Sequence, residues 1–213
     1  MADIYVFGDS IGYGAVDVKG GWADRLKQYL HKQKTDNPEG PFTEVYNLSV
    51  DGDTSSDVAR RIKNELAVRR KPWSTPEDLV VIAIGDNDAC AEGSPDGYKA
   101  STEEYQNNLN IIYEVVKSFD LEIAFVGLVA VDETKANPCV WGEYYIKNDR
   151  VELFDKVQLD FCKDNHASRI ELFPITLLSE YQKNLFDGVH PNSNGHKILF
   201  EQIQPFITQL LQK

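Results

Sequence analysis

The sequence has few cysteines and no long apolar run, and each absence excludes a class of protein. Among its 213 residues there are three cysteines, Cys90, Cys139 and Cys162, an odd number without a CxxC spacing. A disulfide framework or a zinc ribbon is therefore not expected, and reduced thiols are the simplest interpretation. No segment reaches the ~18 consecutive apolar residues of a transmembrane helix, and no signal segment is recognisable near residue 1. We expect a cytoplasmic protein without a membrane span.

Positive charge is also scarce. The chain has 22 lysines and arginines against 34 aspartates and glutamates, which gives a net charge of −12. Nucleic acids and anionic membranes are bound by clustered basic residues, and the one notable basic run, Arg69-Arg70-Lys71, is short. We therefore expect no nucleic-acid partner, and the composition favours neutral over strongly anionic substrates. The oligomeric state cannot be read from these features.

Short apolar segments alternate with helical periodicity along the chain. Residues 79–84 are continuously apolar, which is typical of a strand buried on both faces of a parallel sheet. Residues such as Tyr105, Leu109, Ile112 and Val116 repeat at the spacing of one helix face. Strand alternating with helix predicts an α/β fold with a mostly parallel sheet, in one domain spanning residues 1–213. The five predicted strands are 4–7, 44–48, 79–84, 123–128 and 169–173.

Polar and glycine-rich loops follow the first three predicted strands, and a fourth such loop precedes the last helix. In open parallel sheets, ligands bind beyond the carboxyl ends of the strands, so these loops are expected to meet at one edge. They are residues 8–14, 50–53, 85–88 and 187–191.

These loops contain the parts of a nucleophilic site. A serine hydroxyl becomes an effective nucleophile only when a base takes its proton and a third group orients that base. Asp187 lies three residues before His190, a spacing that allows its carboxylate to reach Nδ1 and leaves Nε2 free to face Ser10. His196 has no local carboxylate partner and lies in the first turn of a helix, which disfavours its protonation. Ser10, His190 and Asp187 are therefore the candidate catalytic residues.

Three groups are candidates for stabilising negative charge on a substrate carbonyl oxygen. They are the backbone N–H of Ser10, the backbone N–H of Gly52 and the side-chain amide of Asn87. Glycine at position 52 allows the backbone to approach a ligand closely, and Asn87 supplies a neutral donor.

The segments Gly8-Asp9-Ser10-Ile11, Gly52, 85–88 and 187–191 together resemble the four sequence blocks of the SGNH, or GDSL-type, serine hydrolases. Their order matches that family over nearly the whole chain, with Ile11 in place of the family's leucine. The resemblance implies Ser10 as nucleophile, His190 as base, Asp187 as its partner, and an oxyanion hole formed by Ser10, Gly52 and Asn87. It also implies a flavodoxin-like three-layer α/β/α sandwich with five parallel strands in the order 2-1-3-4-5, and no cofactor.

Competing interpretations of these motifs are weaker. Gly8-x-Ser10-x-Gly12 matches the nucleophile elbow of α/β-hydrolases, but that fold needs several strands before its serine. A dinucleotide fingerprint fails because Asp17 occupies its third glycine position. Asp86 and Asp88 have the chemistry of metal ligands, but without a histidine pattern they are interpreted as loop hydrogen bonders, and no metal is expected. Asp9 is likewise interpreted as fixing its loop, and Cys90 as a bystander.

The predicted reaction is hydrolysis of small or short-acyl carboxylic esters through an acyl-enzyme. Trp141, Tyr144 and Tyr145 lie in the irregular stretch 129–148 and either contact the substrate or pack that loop onto the domain. The same catalytic residues would serve a carbohydrate O-deacetylase, a lysophospholipase or an acyl-thioesterase. A catalytically silent binding domain is the alternative from another class.

Overall fold

The computed structural model describes residues 2–70, 74–75 and 77–212, and its centre is a parallel sheet of five strands. The predicted α/β class and strand order are confirmed, because the strands lie in the order β2-β1-β3-β4-β5. In the register of the sheet, Ile4 lies opposite both Val45 and Leu79. Lys71 of the basic run and part of the irregular stretch 72–77 lie outside the described residues. The strands are β1 (Ile4–Gly8), β2 (Val45–Asn47), β3 (Leu79–Ala83), β4 (Glu122–Val126) and β5 (Ser168–Ile170).

In the described ranges, five long helices and three single-turn helices complete the main architecture. The long helices are α1 (Gly21–Asp36), α2 (Ser55–Arg69), α3 (Thr102–Ser118), α4 (Asn148–Asp164) and α5 (Ser193–Leu210). The single-turn helices are Ser10–Tyr13, Phe173–Thr176 and Ser179–Gln182. A two-stranded antiparallel ribbon joins Ala91–Glu92 to Tyr144–Tyr145 beside the main sheet.

The two faces of the sheet are covered by different helices, which confirms the three-layer sandwich. Successive side chains of a strand point to opposite faces. Tyr5 and Phe7 of β1 accordingly pack with α2, α3 and α4, where Ile62 is fully buried. Ile4 and Val6 pack with α1 and α5 on the other face. This double coverage explains why the strands are apolar in continuous runs instead of alternating.

The last strand ends earlier than its apolar run predicts. Residues 169–173 were expected to be extended, but β5 comprises Ser168–Ile170 and Phe173 opens a helical turn. Pro174 in the first turn of that helix lacks an N–H, which is no loss at a helix start, where the N–H groups have no intrahelical partner. The strand therefore ends at Ile170, shortly before the helical turn that starts at Phe173. The other predicted strands differ from the observed ones by one or two residues at their ends.

Candidate active site

Ser10 lies at the carboxyl end of β1, in the first position of the short helix Ser10–Tyr13. Asp9 caps this helix, since its Oδ1 accepts the backbone N–H of Ile11 at 2.9 Å. A capping carboxylate satisfies one of the N–H groups that have no partner within a helix. The sequence Asp9-Ser10-Ile11 thereby forms a fixed strand-to-helix turn, which holds the Ser10 side chain at the edge of the sheet.

Two glycines in this turn are required by close packing against neighbouring loops. A Cβ atom at Gly12 would lie 2.5 Å from Oγ of Ser49, and one at Gly8 would lie 2.8 Å from the carbonyl oxygen of Ala83. Both distances are shorter than van der Waals contact. A side chain at Gly12 would push the turn away from the loop after β2, and one at Gly8 would push the end of β1 away from the end of β3, so glycine keeps the candidate site compact.

Asp187 and His190 form a turn directly before α5, and this turn reaches Ser10. The carboxylate of Asp187 accepts the backbone N–H groups of Val189 at 3.0 Å and His190 at 2.8 Å through Oδ1. Its Oδ2 lies 2.7 Å from Nδ1 of His190, and Nε2 of His190 lies 3.0 Å from Oγ of Ser10. Three side chains at opposite ends of the sequence are thereby joined in one hydrogen-bonded chain.

The protonation equilibria of the pair differ from those of free side chains. Burial lowers the pKa of His190, but the hydrogen bond and the charge of Asp187, together with the charge of Asp9, outweigh burial and raise it above the usual value. Burial raises the pKa of Asp187, but the hydrogen bonds from His190 and Val189 outweigh burial and hold it below the usual range. The imidazolium of His190 is therefore stabilised in this site.

Two further carboxyl groups, those of Asp9 and Asp86, border the same cavity as Ser10. Burial raises the pKa of Asp9 to about 7, although the backbone N–H groups of Ile11 and Gly12 oppose the shift. Within the described part of the chain, Oδ2 of Asp9 has no hydrogen-bond partner. Burial, followed by the charge of Asp9, also raises the pKa of Asp86 well above its usual range. Asp9 thus fixes its loop as expected and is also an electrostatic neighbour of His190.

The candidate oxyanion donors lie on two adjacent loops. Gly52 has φ of +80°, a conformation that favours glycine, and among the described residues other than its two chain neighbours no heavy atom lies within 4 Å of the position its Cβ would take. The side-chain amide of Asn87 donates one hydrogen bond to the carbonyl oxygen of Asp53 at 3.1 Å. Since an amide NH2 group carries two N–H bonds, its second one is available to a ligand. Gly52 and Asn87 border the same cavity as Ser10 and His190.

This cavity has a volume of about 380 Å³, and aromatic side chains form part of its wall. Trp141 and Tyr144 both border it, and the ring centroid of Trp141 lies 5.0 Å from that of His190. Tyr145 does not border the cavity; it pairs with Ala91 in the ribbon, and its side chain points to the other face from that of Tyr144. Of the three aromatic candidates, two therefore reach the site.

The stretch 129–148 is partly packed onto the protein and partly borders the cavity. Residues such as Ala130 and Ala136 are fully buried, and backbone hydrogen bonds join Cys139 to Tyr144 at 2.7 Å and Ile146 to Ala136 at 3.1 Å. Most of the stretch is therefore packed onto the body of the protein. Its tip, which includes Trp141 with 43 % of its surface exposed, forms the rim of the cavity.

Sequence reasoning missed several residues that border the cavity. Lys99 lies there with its Nζ 4.8 Å from the ring centroid of Tyr144, and Cys90, Ile146 and Val189 contribute apolar surface. The ribbon between residues 91–92 and 144–145 brings Cys90, Lys99 and Ile146 into place, which no local pattern indicates, whereas Val189 lies in the predicted loop 187–191.

Other chemistry-bearing residues lie away from the cavity or lack the arrangement a metal site needs. His196 is buried at the start of α5, where burial lowers its pKa to about 4, and it does not border the cavity. In the described ranges, no group of three or more histidine, cysteine, aspartate or glutamate side chains is placed to hold a metal ion. No helix within those ranges is long and apolar enough to cross a bilayer.

A larger cavity of about 540 Å³ lies at the opposite end of the sheet. It is bordered by the amino ends of the strands, with Leu79, Glu122 and Ser168 in its wall. Neither a histidine nor a cysteine belongs to its described lining. The smaller cavity is the candidate site because it holds the hydrogen-bonded serine and histidine.

The chain belongs to the family of GDSL-like lipases and acylhydrolases, whose family model matches residues 4–203. The protein is accordingly a GDSL-type esterase or lipase, a hydrolase that acts on ester bonds. This finding confirms the family predicted from the four sequence blocks. No sequence among the curated proteins is significantly similar to the chain.

Solved structures with the same fold include several esterases. The lipase/acylhydrolase from Enterococcus faecalis has a TM-score of 0.76 at 22 % identity, with 98 % of this chain and 96 % of that chain covered. The psychrotrophic esterase EstA from Pseudoalteromonas sp. has a TM-score of 0.71 at 17 % identity, with both chains covered completely. Axe2-W215I, an acetyl xylan esterase from Geobacillus stearothermophilus, has a TM-score of 0.71 at 18 % identity over 97 % of this chain and 94 % of that one.

Proposed function

We propose that the protein hydrolyses small, short-acyl carboxylic esters through an acyl-enzyme on Ser10. The observation that carries the proposal is the hydrogen-bonded chain from Asp187 Oδ2 through His190 to Ser10 Oγ, with distances of 2.7 and 3.0 Å. In this geometry Nε2 of His190 accepts the hydroxyl proton while Oγ attacks the ester carbonyl carbon. Asp187 holds the imidazole in the required tautomer and stabilises its protonated form.

We assign three N–H donors to stabilise the oxyanion that forms during this attack. They are the backbone N–H of Ser10, the backbone N–H of Gly52 and the free N–H of the Asn87 side chain. All three residues border the cavity that contains the hydroxyl group of Ser10. Fixed donors of this kind stabilise developing negative charge without reorganisation, and loss of one costs about 10²–10³ in kcat in serine hydrolases.

Collapse of the tetrahedral intermediate then expels the alcohol. The imidazolium of His190 gives its proton to the departing alkoxide, and the acyl group stays on Ser10 Oγ. A water molecule attacks the acyl carbon with His190 again as base, which releases the carboxylic acid and restores the serine. The raised pKa of His190 supports this exchange, since both protonation states are used in each turnover.

Short acyl groups are favoured by the dimensions and walls of the site. The cavity of about 380 Å³ is at the lower end of the range for small-molecule sites. A specific observation also favours acetylated sugars as substrates, since the ring of Trp141 lies beside His190 and is 43 % exposed at the rim. Such a ring offers a stacking surface, and acetyl xylan esterases share this fold. Carbohydrate O-deacetylation is therefore the second candidate.

The experiment that tests the reaction is hydrolysis of p-nitrophenyl acetate by the wild type, Ser10→Ala and Ser49→Ala. Ser49 is a matched control, because its buried hydroxyl lies near the same turn and has no hydrogen-bond partner in the described part of the chain. We expect Ser10→Ala to lose at least ~10³-fold in kcat and Ser49→Ala to stay within a few-fold. Equal activity of the wild type and Ser10→Ala would contradict the proposal.

A substrate panel separates the candidate substrates. Acetylated xylooligosaccharides, p-nitrophenyl esters of increasing acyl length, a lysophospholipid and an acyl-thioester are compared by kcat/KM. The proposal expects the highest values for acetyl or other short-acyl esters. A lysophospholipid or a long-chain thioester that exceeds the acetyl esters would instead favour one of the alternative activities.

The cellular setting and the domain organisation are also proposals. We propose that the protein works in a reducing compartment, the cytoplasm, because Cys90, Cys139 and Cys162 are all buried and unpaired. The interpretation of residues 1–213 as one domain is supported by the single five-stranded sheet, to which both groups of long helices pack.

A further inference from the structure

The carboxylate of Asp88 is fully buried and accepts two hydrogen bonds from Ser55. Its Oδ2 accepts the backbone N–H of Ser55 at 2.9 Å, and its Oδ1 accepts a hydrogen bond from Oγ of Ser55. Asn108 of α3 donates from Nδ2 to Oγ of Ser55 at 2.9 Å, which orients that hydroxyl toward the carboxylate. A charge can be kept away from water only with such partners, so this arrangement fixes Asp88 and Ser55 relative to each other.

These contacts join the two loops that carry the proposed oxyanion donors. Asp88 directly follows Asn87, and Ser55 is the first residue of α2, three residues after Gly52. A third bond connects the same loops, from Nδ2 of Asn87 to the carbonyl oxygen of Asp53 at 3.1 Å. The separation between the N–H of Gly52 and the amide of Asn87 is therefore determined by a short bridge of which Asp88 is the charged member.

We propose that Asp88 is a positioning residue that holds Asn87 and Gly52 at the spacing the oxyanion requires. This inference rests on the proposed function. Asp88 does not border the cavity, so it acts through Ser55 and Asn87 and does not touch the substrate. We expect loss of the Asp88 carboxylate to have a large effect on the rate, because a displacement of ~1 Å in a catalytic group can lower the rate about 10²-fold.

A purely structural role for Asp88 makes a different prediction. Its carboxylate also accepts the backbone N–H of Ser55 at the start of α2, so its loss could act on the stability of that helix alone. Asp57 allows the two roles to be separated. Its Oδ2 accepts the backbone N–H of Thr54 at 3.0 Å and the Thr54 hydroxyl at 2.7 Å, so it caps the same helix. None of its hydrogen bonds in the described structure reaches the loop of Asn87. Loss of either carboxylate weakens the helix start, and only loss of Asp88 breaks the bridge between the loops.

The experiment compares Asp88→Asn and Asp57→Asn with the wild type and Asn87→Ala. The measurements are kcat and KM for p-nitrophenyl acetate, the rate constant for phosphonylation by a p-nitrophenyl alkylphosphonate, and Tm. We expect Asp88→Asn to lower kcat and the phosphonylation rate together by ~30- to 100-fold, with KM within about threefold of the wild type. Asp57→Asn is expected to lower Tm, because its carboxylate caps α2, while kcat stays within about threefold. The double variant with Asn87→Ala is expected to be less than additive, because Asp88 acts in part through Asn87.

Three results would overturn the inference. The first is that folded Asp88→Asn has the kcat of the wild type. The second is that Asp88→Asn and Asp57→Asn lose kcat equally. The third is that a rise in KM alone accounts for the loss of kcat/KM in Asp88→Asn. If Asp88→Asn does not fold, Ser55→Ala removes one of the two hydrogen bonds to Asp88 and is expected to lower kcat by ~5- to 20-fold at unchanged KM. Unchanged kcat in Ser55→Ala would then overturn it. A Ser10→Ala variant that retains activity would contradict the proposed function itself, which distinguishes the two failures.

Discussion

Asp187 binds His190 twice: its carboxylate lies 2.7 Å from Nδ1 and accepts the backbone N–H of His190, and it also accepts the backbone N–H of Val189. The imidazole is thereby fixed with Nε2 toward Ser10. Because the carboxylate holds both the ring and the turn that carries it, a local sequence motif produces the geometry that we propose for catalysis.

Asp187→Asn tests the orienting role of this carboxylate. An amide retains the size of the side chain but can present its NH2 group to Nδ1, which favours the wrong tautomer of His190. We expect kcat to fall by about 10³–10⁴-fold, with a smaller effect on KM, measured on p-nitrophenyl acetate. Asp132→Asn, at a carboxylate that also accepts a backbone N–H, is the control and is expected to remain active. A loss of less than tenfold in Asp187→Asn would contradict the assignment.

If His190 is the base that we propose, the pH dependence of kcat/KM should report its protonation. As a base it must be neutral, so activity is expected to fall as the pH drops through its pKa. Burial lowers that pKa, but Asp187 and Asp9 raise it above the usual value of 6.5. The acidic limb of the profile should therefore lie above 6.5 in the wild type.

The residual activity of Asp187→Asn provides a second measurement, the pH at which the acidic limb of the kcat/KM profile lies without the Asp187 charge. Removal of the negative charge leaves burial as the stronger influence, so the limb should move to lower pH. A limb that lies at the same pH in both proteins would show that a group other than His190 controls it.

Trp141→Ala tests whether the exposed ring contributes to substrate binding. Trp141 borders the cavity, whereas its neighbour Val140 is 75 % exposed and does not, so Val140→Ala is the matched control. We expect Trp141→Ala to raise KM about 5- to 20-fold for acetylated xylooligosaccharides, with a smaller effect on p-nitrophenyl acetate, because the variant lacks the large apolar ring surface on which a sugar would stack. Equal kinetics of both variants on all substrates would mean that Trp141 only packs the loop.

Asp9→Asn is expected to stabilise the protein at alkaline pH. Burial raises the pKa of Asp9 from 3.8 to about 7, so the folded state binds more protons than the unfolded state between these values. Stability is therefore lost as the pH rises through this window, and the amide variant avoids the loss. We expect a gain of a few kcal/mol at most at pH 8 and a smaller one at pH 4, since one pKa unit corresponds to about 1.4 kcal/mol.

Urea denaturation at both pH values measures this effect. Asp36→Asn, at the end of α1, is the control, because the carboxylate of Asp36 is mostly exposed to solvent. A stability difference between Asp9→Asn and the wild type that does not change with pH would contradict the expectation that burial raises the pKa of Asp9 in the folded state.

Local sequence was sufficient for the sheet and for most of the candidate site. Residues 79–84 are continuously apolar because β3 is covered on both faces, and Asp187 reaches His190 because both lie in one turn. The placement of Ser10 beside His190, 180 residues away, follows from the rule that the carboxyl ends of parallel strands meet at one edge.

Contacts between distant loops could not be predicted from local patterns. Ser55 meets Asp88 across 33 residues, and no periodicity distinguishes Asp88 from other loop aspartates. The difference between Tyr144 and Tyr145 depends on the register of the ribbon with Ala91, because a shift of one residue exchanges the two side chains between its faces. The end of β5 was misplaced because residues 169–173 are mostly apolar, although a helical turn starts within them.

The most direct test of the central claim is to trap the nucleophile. The wild type, Ser10→Ala and His190→Ala are incubated with a p-nitrophenyl alkylphosphonate, and the adduct is located by intact mass and peptide mapping. We predict one adduct per chain on Ser10 in the wild type, with stoichiometric loss of esterase activity. Ser10→Ala should form none, and His190→Ala should react at least ~10²-fold more slowly. An adduct on another residue that accompanies the loss of activity, or full activity of a protein completely phosphonylated on Ser10, would contradict the account.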